Sequence, residues 1–230
     1  RGRDPAPAGG PVVRIIDLGL IDHAEAEALQ LETLAAVREE RAENTLYLLE
    51  HPPVITLGHQ GGLENLHVPE AFLKERGITL SKTGRGGNIT CHFPGQLVGY
   101  PVFRVERRPG GIRAFFNDME EAVIRVCRDF GVDAGRWEGR PGVWVGERKI
   151  CSMGIGVKHW VTFHGLALNV GRDLSLFELI TLCGLSGARP TSLALETGRD
   201  IDMKDVKDAL SRHFLGLFPD SALAARQSAA

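Results

Sequence analysis

The fold is decided by residues 142–170, which read GVWVGERKICSMGIGVKHWVTFHGLALNV. Three strand-like runs, at 142–145, 149–157 and 162–170, follow one another here with only short turns between them. Strands joined this closely do not pair in parallel, because a parallel pair needs a crossover connection of roughly a dozen residues or more. The stretch therefore favours a mixed sheet flanked by helices over a doubly wound parallel sheet.

The remaining chain supplies more strands and the helices that would cover the sheet. A capping motif that starts at Asp22 predicts a helix over 22–43, and apolar residues at three- and four-residue steps predict a long helix over 112–130. The expected fold class is α/β of the α+β type, in a single domain at 12–218 between flexible tails at 1–11 and 219–230. Further helices are predicted at 69–76, 174–180 and 203–217, and further strands at 12–18, 45–50, 54–57, 78–81 and 97–103.

The composition argues against several classes of function. The 230 residues carry a net charge of -2, which gives no basic surface of the kind that binds nucleic acid. No apolar run approaches the roughly 18 residues of a membrane span. The 4 cysteines include no CxxC pair, and no two histidines form an HxH or HxxxH pair beside a carboxylate, so no metal site is expected. These features fit a cytoplasmic protein with reduced thiols.

A glycine-rich segment at 85–101, RGGNITCHFPGQLVGYP, is interpreted as a binding loop. Its glycines could serve only turns and bulges. The density of polar groups favours a ligand site, because Arg85, Thr90, His92 and Gln96 lie among backbone that a ligand can approach closely. The segment has neither the GxxxxGK[ST] pattern of a phosphate-binding loop nor the strand and helix context of a dinucleotide fold.

Two further residues are candidates for chemistry. Cys183 follows the short helix predicted at 174–180 and precedes a glycine, at a junction where a nucleophile could be exposed. Lys149 opens an apolar strand, where a lysine is ordinarily a surface residue whose stem lies along the apolar side chains. If its amine is instead turned into a cleft, it can serve as a base. Three histidines at loops or strand ends remain alternative bases: His51, His92 and His164.

The other cysteines have simpler interpretations. Cys127 lies in the long amphipathic helix and is interpreted as a small buried hydrophobic residue. Cys151 alternates with Lys149 along one strand, so the two are expected to share a face of the sheet. Cys91 lies inside the glycine-rich segment. Both therefore stay open as rival nucleophiles.

Taken together, these blocks resemble the lipoyl(octanoyl) transferases, a family that carries octanoyl groups from acyl carrier protein to lipoyl domains. The similarity spans roughly 12–218, nearly the whole chain, and six blocks stand in the family's order. The blocks are LLEHP at 48–52, RGG at 85–87 with TxHxPGQLVGYP at 90–101, GVW at 142–144, RKI at 148–150 with Gly154, HGLALN at 164–169, and CGL at 183–185.

The resemblance implies a fold like that of biotin protein ligases and lipoate ligases, with a mixed sheet forming an acyl pocket. It implies Cys183 as the nucleophile that accepts the acyl group and Lys149 as the group that lowers the pKa of this thiol. The residues that the resemblance places along the acyl chain and thioester are Arg85, Gly86, Gly87, Asn88, Ile89, Thr90, Cys91, His92, Ser152, Met153, Gly154, Gly165, Leu166 and Ala167.

The partners implied by the resemblance are an octanoyl-acyl carrier protein as donor and two kinds of acceptor. The acceptors are the lipoyl domains of 2-oxoacid dehydrogenase E2 subunits and the glycine cleavage H protein. No cofactor and no metal are expected, because transfer from a thioester to an amine is downhill. Two other functions stay open: an ATP-dependent protein ligase of the lipoate or biotin type, and a non-catalytic module that binds acyl chains or lipoyl domains.

The chain departs from the family pattern at three positions of the loop. Phe93 stands where glycine is usual, Cys91 where an aromatic residue is usual, and Asn88 where a charged residue is common. Phe93 is expected to modify the substrate pocket, because its ring replaces a hydrogen where the backbone approaches a ligand. The resemblance therefore implies that Phe93 alters the preference for acyl-chain length.

Overall fold

Two β-sheets and five α-helices form the part of the chain that the computed structural model describes, residues 13–106, 108–182 and 188–218. The helices are α1 His23–Arg38, α2 Glu70–Glu75, α3 Gly111–Asp129, α4 Leu193–Thr197 and α5 Met203–Leu217, with 3-10 turns at Leu63–Asn65 and Ser175–Leu179. The strands are β1 Arg14–Leu20, β2 Thr45–Glu50, β3 Val54–Leu57, β4 Thr79–Lys82, β5 Ile89–His92, β6 Gln96–Val102, β7 Gly135–Trp137, β8 Arg140–Val145, β9 Arg148–Lys158, β10 Val161–Asn169 and β11 Arg189–Pro190.

The larger sheet has the order β1-β2-β6-β10-β9-β8-β7, and β11 also pairs with β9. The β1–β2 and β11–β9 pairs are parallel, and the other pairs of this sheet are antiparallel. The hairpins at 140–169 are antiparallel because their connections hold only a few residues. The prediction of a mixed sheet flanked by helices is confirmed.

The smaller sheet has the order β4-β3-β5 and carries its own apolar core. This core is built from the strands, α2 and the 3-10 turn at Ser175–Leu179, and it contains Ile55, Leu73, Ile89 and Phe177. Strand β5 was predicted as loop, because its four residues lie between glycine-rich turns and are too few to display an alternating pattern.

Helices α3 and α5 cover one face of the larger sheet. Phe115, Met119 and Val123 of α3 recur at four-residue steps and are fully buried, and Phe214 of α5 packs into the same cluster. This spacing places all of these α3 side chains on one side of the helix, so that side faces the sheet. Helix α3 ends at Asp129, and two residues later Gly131 takes a φ of +80°, the left-handed conformation that closes many helices.

Helix α1 covers the opposite face and is shorter than predicted. It ends at Arg38 because Glu40 takes a left-handed backbone conformation, with φ of +58°, and the N–H of Arg41 returns to the carbonyl of Ala36. Its inward side is partly polar: His23, Glu27 and Gln30 stand four and three residues apart, and His23 and Gln30 are buried. A buried polar stripe of this kind indicates a site next to the helix.

The boundaries of several other elements agree with the sequence patterns. Strands β2 and β3 and helix α5 were predicted at the residues where they occur, and β7, β11 and α4 were not predicted. Within the described ranges no helix is both long and apolar enough to cross a membrane. The tails predicted at 1–11 and 219–230 lie outside the described residues.

Candidate active site between the two sheets

A cavity of about 250 Å³ lies between the larger sheet and the strand β5 side of the smaller one. Its wall combines residues from α1, β5, β6, β9 and β10 with the glycine-rich loop and the turn before β8. The lining residues are His23, Gln60, Arg85, Gly87, Asn88, Ile89, Thr90, His92, Tyr100, Gly139, Pro141, Lys149, Ser152, Met153, Gly154, His164, Gly165, Leu166 and Ala167.

Strands β9 and β10 form one wall of this cavity in register. Ser152 stands opposite Ala167, Met153 opposite Leu166, and Gly154 opposite Gly165. The glycine-rich loop rests directly on this wall, because the N–H of Gly86 donates to the carbonyl of Ile155 at 3.0 Å.

The contact between loop and wall depends on glycine. A Cβ on Gly154 would lie 2.6 Å from the Gly86 oxygen, so only glycine permits the approach. Backbone therefore forms much of this side of the cavity, as expected where a chain must pass close to a ligand.

The side chain of Arg85 is tied to the smaller sheet. Its Nη2 donates to the carbonyl oxygen of Thr56 at 2.7 Å and to the hydroxyl oxygen of the same residue at 2.9 Å, and its Nη1 donates to the Gly86 oxygen at 3.1 Å. Asn88 is held as well, since its Oδ1 accepts from the N–H of Ile89 at 2.7 Å and from Asn65 Nδ2 at 3.0 Å. The loop thus has a fixed shape.

Lys149 lies in the cavity wall and is only 3% exposed. Its Nζ stands 5.1 Å from the centre of the Trp144 ring. The register between β8 and β9 shifts between Val143 and Trp144, so that Val143 pairs with Cys151 while Trp144 pairs with Lys149. The expectation that Lys149 and Cys151 share a surface is wrong, because at this bulge Lys149 lines the cavity whereas Cys151 packs in the core under α3 and α5.

Cys183 lies outside the described residues, together with 184–187. The residues on both sides of this segment are anchored beside the cavity. Before it, the N–H of Thr181 donates to the Asn65 carbonyl at 2.9 Å, and Asn65 in turn bonds Asn88. After it, Pro190 pairs with Lys149, and the N–H of Thr191 donates to the Lys149 carbonyl at 2.9 Å.

The three described cysteines are all buried, and none lines the cavity. Cys91, Cys127 and Cys151 are each 0% exposed. Burial raises the pKa of the Cys127 thiol to about 12 and raises that of Cys151 as well. A buried thiol with a raised pKa is a poor nucleophile, because the thiolate is the reactive form.

Histidines form a cluster on the side of the cavity that faces α1. The rings of His23 and His51 are 5.1 Å apart, those of His51 and His92 5.5 Å, and those of His23 and His164 6.3 Å. Among the described residues, no three His, Cys, Asp or Glu side chains converge in a way that could hold a metal ion. We call His23, His51, His92 and His164 the histidine cluster.

Two members of the histidine cluster have defined tautomers. His51 Nδ1 lies 2.7 Å from the Ile21 carbonyl and must donate to it, so in the neutral ring Nε2 accepts from the Tyr100 hydroxyl at 2.8 Å. His92 Nδ1 lies 2.7 Å from Gln96 Oε1 and donates to it, since Gln96 uses its amide N–H groups elsewhere. Burial lowers the pKa of both histidines, which favours neutral rings.

The other two members face α1. His164 has a left-handed φ of +56°, and its backbone N–H donates to Gln30 Oε1 at 2.7 Å. Its Nε2 stands 3.4 Å from Glu27 Oε1, and this contact with His164 lowers the pKa of the Glu27 carboxyl. Burial lowers the pKa of His23 to about 4, helped by the neighbouring rings of His51 and His164, so His23 is neutral at physiological pH.

The structure brings together most of the residues that the resemblance placed along the substrate. All of those 14 residues line the cavity except Gly86, which touches the wall through its backbone, and Cys91, which is buried in the core of the smaller sheet. Lys149 lines the same cavity. Several lining residues were not among the predicted ones: His23, Gln60, Tyr100, Gly139, Pro141 and His164.

The missed residues carried little signal in the sequence. His23 directly follows the cap of α1, where a histidine looks like an ordinary helix residue. Tyr100 lies inside the TxHxPGQLVGYP motif, and the position of His164 at a strand end suggests only a base. His23, Tyr100 and His164 come together only because α1 packs on the sheet. Their contacts join residues that are far apart in the chain, so no local pattern predicts them.

Phe93 does not line this cavity, which argues against the expectation that it modifies the substrate pocket. Its ring is 6% exposed, packs edge to face on Phe177 at 5.6 Å, and belongs to the core of the smaller sheet. The strand β5 alternation explains the difference. Cys91 and Phe93 belong to that core and do not line the cavity, whereas Thr90 and His92 line it, and Ile89 at the start of the strand contributes to both.

Comparisons with known proteins agree with this architecture. A family model described as lipoyl protein ligase A/B catalytic domain matches residues 22–215. A protein named octanoyltransferase from Nitratidesulfovibrio vulgaris is 61% identical over 93% of this chain and 98% of its own length. Another of that name from Maridesulfovibrio salexigens is 59% identical over 93% of this chain and 100% of its own.

A solved structure shares the fold at much lower identity. The crystal structure of lipoate-protein ligase A bound with ATP superposes with a TM-score of 0.70 at 20% identity, covering 95% of this chain and 94% of that one. The expected likeness to lipoate ligases is thus confirmed for the fold. The matched family model and the two relatives agree on one assignment, and the chain belongs to the lipoyl protein ligase A/B catalytic-domain family.

Proposed function

We propose that this enzyme transfers octanoyl groups from acyl carrier protein to a lysine of lipoyl domains through a thioester on Cys183, with Lys149 as the activating base. Octanoyl transfer in protein lipoylation follows from relatives of that name that are 59% and 61% identical over nearly the full chain. The donor, the covalent intermediate and the residue roles are our proposals.

One observation carries the residue assignment. Lys149 is buried in the cavity wall, and the strand that follows the 183–187 segment pairs directly with Lys149. The described residues next to positions 183–187 bond to residues at the cavity, Thr181 to Asn65 before them and Thr191 to Lys149 after them, which supports the choice of Cys183. The buried state of Cys91, Cys127 and Cys151 supports the same choice, because none of these thiols lines the cavity.

The first half-reaction loads the enzyme. The neutral amine of Lys149 takes the proton of the Cys183 thiol, and the thiolate attacks the carbonyl carbon of the octanoyl thioester. The tetrahedral intermediate collapses with cleavage of the bond to the carrier sulfur, and the leaving thiolate takes the proton from Lys149. One thioester replaces another, so this step is nearly isoenergetic.

The second half-reaction delivers the acyl group. The neutral ε-amine of the acceptor lysine attacks the Cys183 thioester, an amide bond forms, and the bond to Cys183 sulfur breaks. A proton from the attacking nitrogen passes to the thiolate by way of Lys149, which restores both groups. An amide is more stable than a thioester, so the step needs no ATP.

The acyl chain is proposed to lie along the cavity wall. Met153, Leu166 and Ala167 supply apolar surface, and backbone at Gly87, Gly154 and Gly165 permits close approach. We propose residues 12–218 as one catalytic domain, working in the cytoplasm, where a thiol such as Cys183 stays reduced. The proposed acceptors are the lipoyl domains of 2-oxoacid dehydrogenase E2 subunits and the glycine cleavage H protein.

The covalent intermediate is the direct test. Incubation with octanoyl-acyl carrier protein should add one octanoyl group to the intact protein, removable by hydroxylamine, and peptide mapping should place it on Cys183. Cys183→Ser should abolish turnover. Mapping of the group to Cys91 or Cys151 would refute the assignment.

The ligase alternative makes a different prediction. An enzyme that activates a free acid as an adenylate needs nucleotide and no nucleophilic cysteine. Purified protein should transfer octanoate from the carrier thioester to a lipoyl domain without ATP or magnesium. Transfer only when both are supplied would favour the ligase. A binding module would bind lipoyl domain or acyl chain with no transfer under either condition.

A further inference from the structure

Strand β9 changes its neighbour on one side at Lys149. The register between β10 and β9 ends at Leu168 opposite Cys151, two residues before Lys149 is reached. At Lys149 itself the pairing residue is Pro190 of β11. Since Trp144 of β8 occupies the opposite edge of β9 there, β11 takes the place of β10. The backbone of the lysine therefore has a very short strand as its neighbour on this side.

Strand β11 cannot hold this place by its own pairing. It has only two residues, Arg189–Pro190, where most strands have roughly three to ten, and a proline has no N–H to donate. The residue that follows makes up for this, because the N–H of Thr191 donates to the Lys149 carbonyl at 2.9 Å. The backbone of Lys149 is thus tied to the position of Thr191.

Two side chains fix Thr191 in turn. Its hydroxyl donates to Glu196 Oε1 at 2.5 Å, and its carbonyl oxygen accepts from Asn169 Nδ2 at 2.9 Å. Glu196 is also bonded by Arg148, but the Arg148 side chain is 49% exposed, and an ion pair open to solvent adds little. Asn169 is 3% exposed, so it is the buried anchor of Thr191.

The amide of Asn169 has one orientation. Asn169 is the last residue of β10 and stands opposite Gln96 of β6, whose Nε2 donates to Asn169 Oδ1 at 3.0 Å. Gln96 is itself fixed, since its Nε2 also donates to the Cys91 carbonyl and its Oε1 accepts from His92 Nδ1. Asn169 can therefore offer only its NH₂ group to Thr191. A buried network in which each amide has defined partners is rigid.

The two buried amides have no part in the proposed chemistry. Gln96 lies in the PGQLVGYP block and Asn169 in the HGLALN block, yet neither side chain lines the cavity. We infer that Asn169, oriented by Gln96, is a positioning residue for Lys149: it holds Thr191 and thereby keeps β11 against the backbone of the lysine. The inference rests on the proposed acyl transfer and deepens it by naming what keeps the base in place.

The first test removes the amide. Asn169→Leu keeps most of the volume and loses both hydrogen bonds. Amide hydrogen exchange of Thr191, followed in peptides that cover 189–195 of the full-length protein, should become faster. The kcat for octanoyl transfer should fall about 10-fold with KM nearly unchanged, as expected when a buried hydrogen bond is lost. Alkylation of Cys183 at neutral pH should slow as well, because a displaced Lys149 no longer activates the thiol.

The control removes an equally buried hydrogen-bonding group from the same strand. The Thr162 hydroxyl donates to the Pro101 carbonyl at 2.6 Å and accepts the N–H of Phe103 at 3.1 Å, at the far end of β10 from Lys149. Thr162→Val should lower stability too. It should leave the exchange of Thr191, the kcat and the alkylation rate unchanged.

The conservative variant Asn169→Asp gives a signature in pH. Burial raises the pKa of a carboxyl, and the protonated form donates to Thr191 and accepts from Gln96 as the amide does. The ionised form turns an oxygen toward the Thr191 carbonyl. Turnover relative to the unmodified enzyme should therefore fall about 10-fold between about pH 6 and pH 8. This ratio removes the direct contribution of the titratable groups that Gln96 and Thr191 link to this position, which are His92, Lys149 and Glu196.

A second asparagine controls for the new carboxylate. Asn44 Oδ1 accepts the N–H of Arg104 at 2.9 Å, a role that an ionised aspartate keeps. The ratio for Asn44→Asp should therefore stay flat with pH. A ratio for Asn169→Asp that is equally flat would contradict the bond assigned to Thr191.

The outcomes separate the inference from the function on which it rests. Unchanged exchange of Thr191 in Asn169→Leu, or unchanged kcat and alkylation, would refute the positioning role. Equal losses in Thr162→Val would refute it too, because they would show a general loosening of the sheet. If the unmodified enzyme transfers no octanoyl group, the proposed function fails, whereas Thr191 exchange and Cys183 alkylation still decide the inference.

Discussion

Gly142 of β8 leaves the space that Lys149 of β9 fills. A Cβ on Gly142 would lie 2.7 Å from Cε of Lys149 and 3.3 Å from its Nζ, and it would also collide with the carbonyl oxygen of Cys151. The φ of Gly142 is +108°, a conformation that other residues rarely adopt. The position of the lysine amine therefore depends on a glycine in the neighbouring strand.

Gly142→Ala should displace Lys149 and remove most turnover. We expect a loss of about 3 kcal/mol or more in the free energy of unfolding, from the strained backbone together with the collision. Gly146→Ala is the control, because Gly146 has a φ of +57° with no atom near its missing Cβ. It should lose only about 1–2 kcal/mol and keep its activity. Equal effects of the two changes in urea unfolding and turnover assays would contradict the role given to Gly142.

Lys149→Met should slow alkylation of Cys183 at neutral pH and remove most turnover. A free cysteine has a pKa of about 8.5 and is mostly protonated at neutral pH, so loss of the base lowers the thiolate fraction. Activity should recover in part at higher pH as the thiol ionises unaided. The control is Lys158→Met, at the exposed end of the same strand. Unchanged alkylation rates from neutral to alkaline pH would exclude Lys149 as the activating group and leave His92 or His164 as candidates.

Stability should fall as the pH falls from about 7 toward 5. Burial lowers the pKa of His23 from 6.5 to about 4, and it lowers the pKa of His51 and His92 as well. Between pH 6.5 and pH 4 His23 is protonated in the unfolded chain but stays neutral in the folded protein. Its contribution to the free energy of unfolding is therefore complete above about pH 6.5 and is lost as the pH falls toward about 4. For His23 alone the full difference is roughly 3 kcal/mol.

Urea unfolding at a series of pH values measures this dependence. His23→Gln should flatten the curve, because a side chain that does not titrate replaces one whose protonation is disfavoured in the fold. His59→Gln, a change at an exposed histidine, should leave the curve unchanged. A His23→Gln curve as steep as that of the unmodified protein would mean that other groups cause the acid sensitivity.

Phe93→Ala should destabilise the protein without changing the choice of acyl chain. The ring is buried in the core of the smaller sheet against Phe177, and removal of such a ring costs about 3–5 kcal/mol. Thermal unfolding and rates with acyl thioesters of different length measure the two effects. If Phe93→Ala changed the preference for acyl-chain length and left stability intact, Phe93 would be a residue of the substrate pocket and the prediction would be wrong.

The sequence predicted the larger sheet because its strands are long and close together in the chain. Strands β8, β9 and β10 and helix α3 carry patterns of period two or 3.6 over enough residues to be recognised. Strand β11 has two residues and β5 has four, too few to show a pattern, and both exist because partner strands supply their hydrogen bonds.

Only those parts of the site that lie in contiguous sequence motifs could be predicted. Lys149 and the glycine-rich loop belong to contiguous motifs, so their roles could be inferred from the resemblance. The histidine cluster joins residues from α1, β5 and β10 with His51, and no local pattern records that meeting. The sequence analysis treats residues 85–101 as a loop, and a loop has no alternation of inward and outward side chains. The placement of Phe93 in the core rather than in the cavity therefore could not be predicted.

The polar inward stripe of α1 also bears on how this protein could be engineered. Replacing Gln30 with leucine would remove one buried, unpartnered amide nitrogen but would also leave the N–H of His164 without its acceptor. Apolar residues at His23 and Glu27 would make α1 an ordinary amphipathic helix, with a more uniform contact to the sheet. Screens for heat resistance alone would therefore favour apolar residues at His23 and Glu27, would retain Gln30, and would remove polar side chains beside the cavity, so stability and the polar character of the site are in conflict on helix α1.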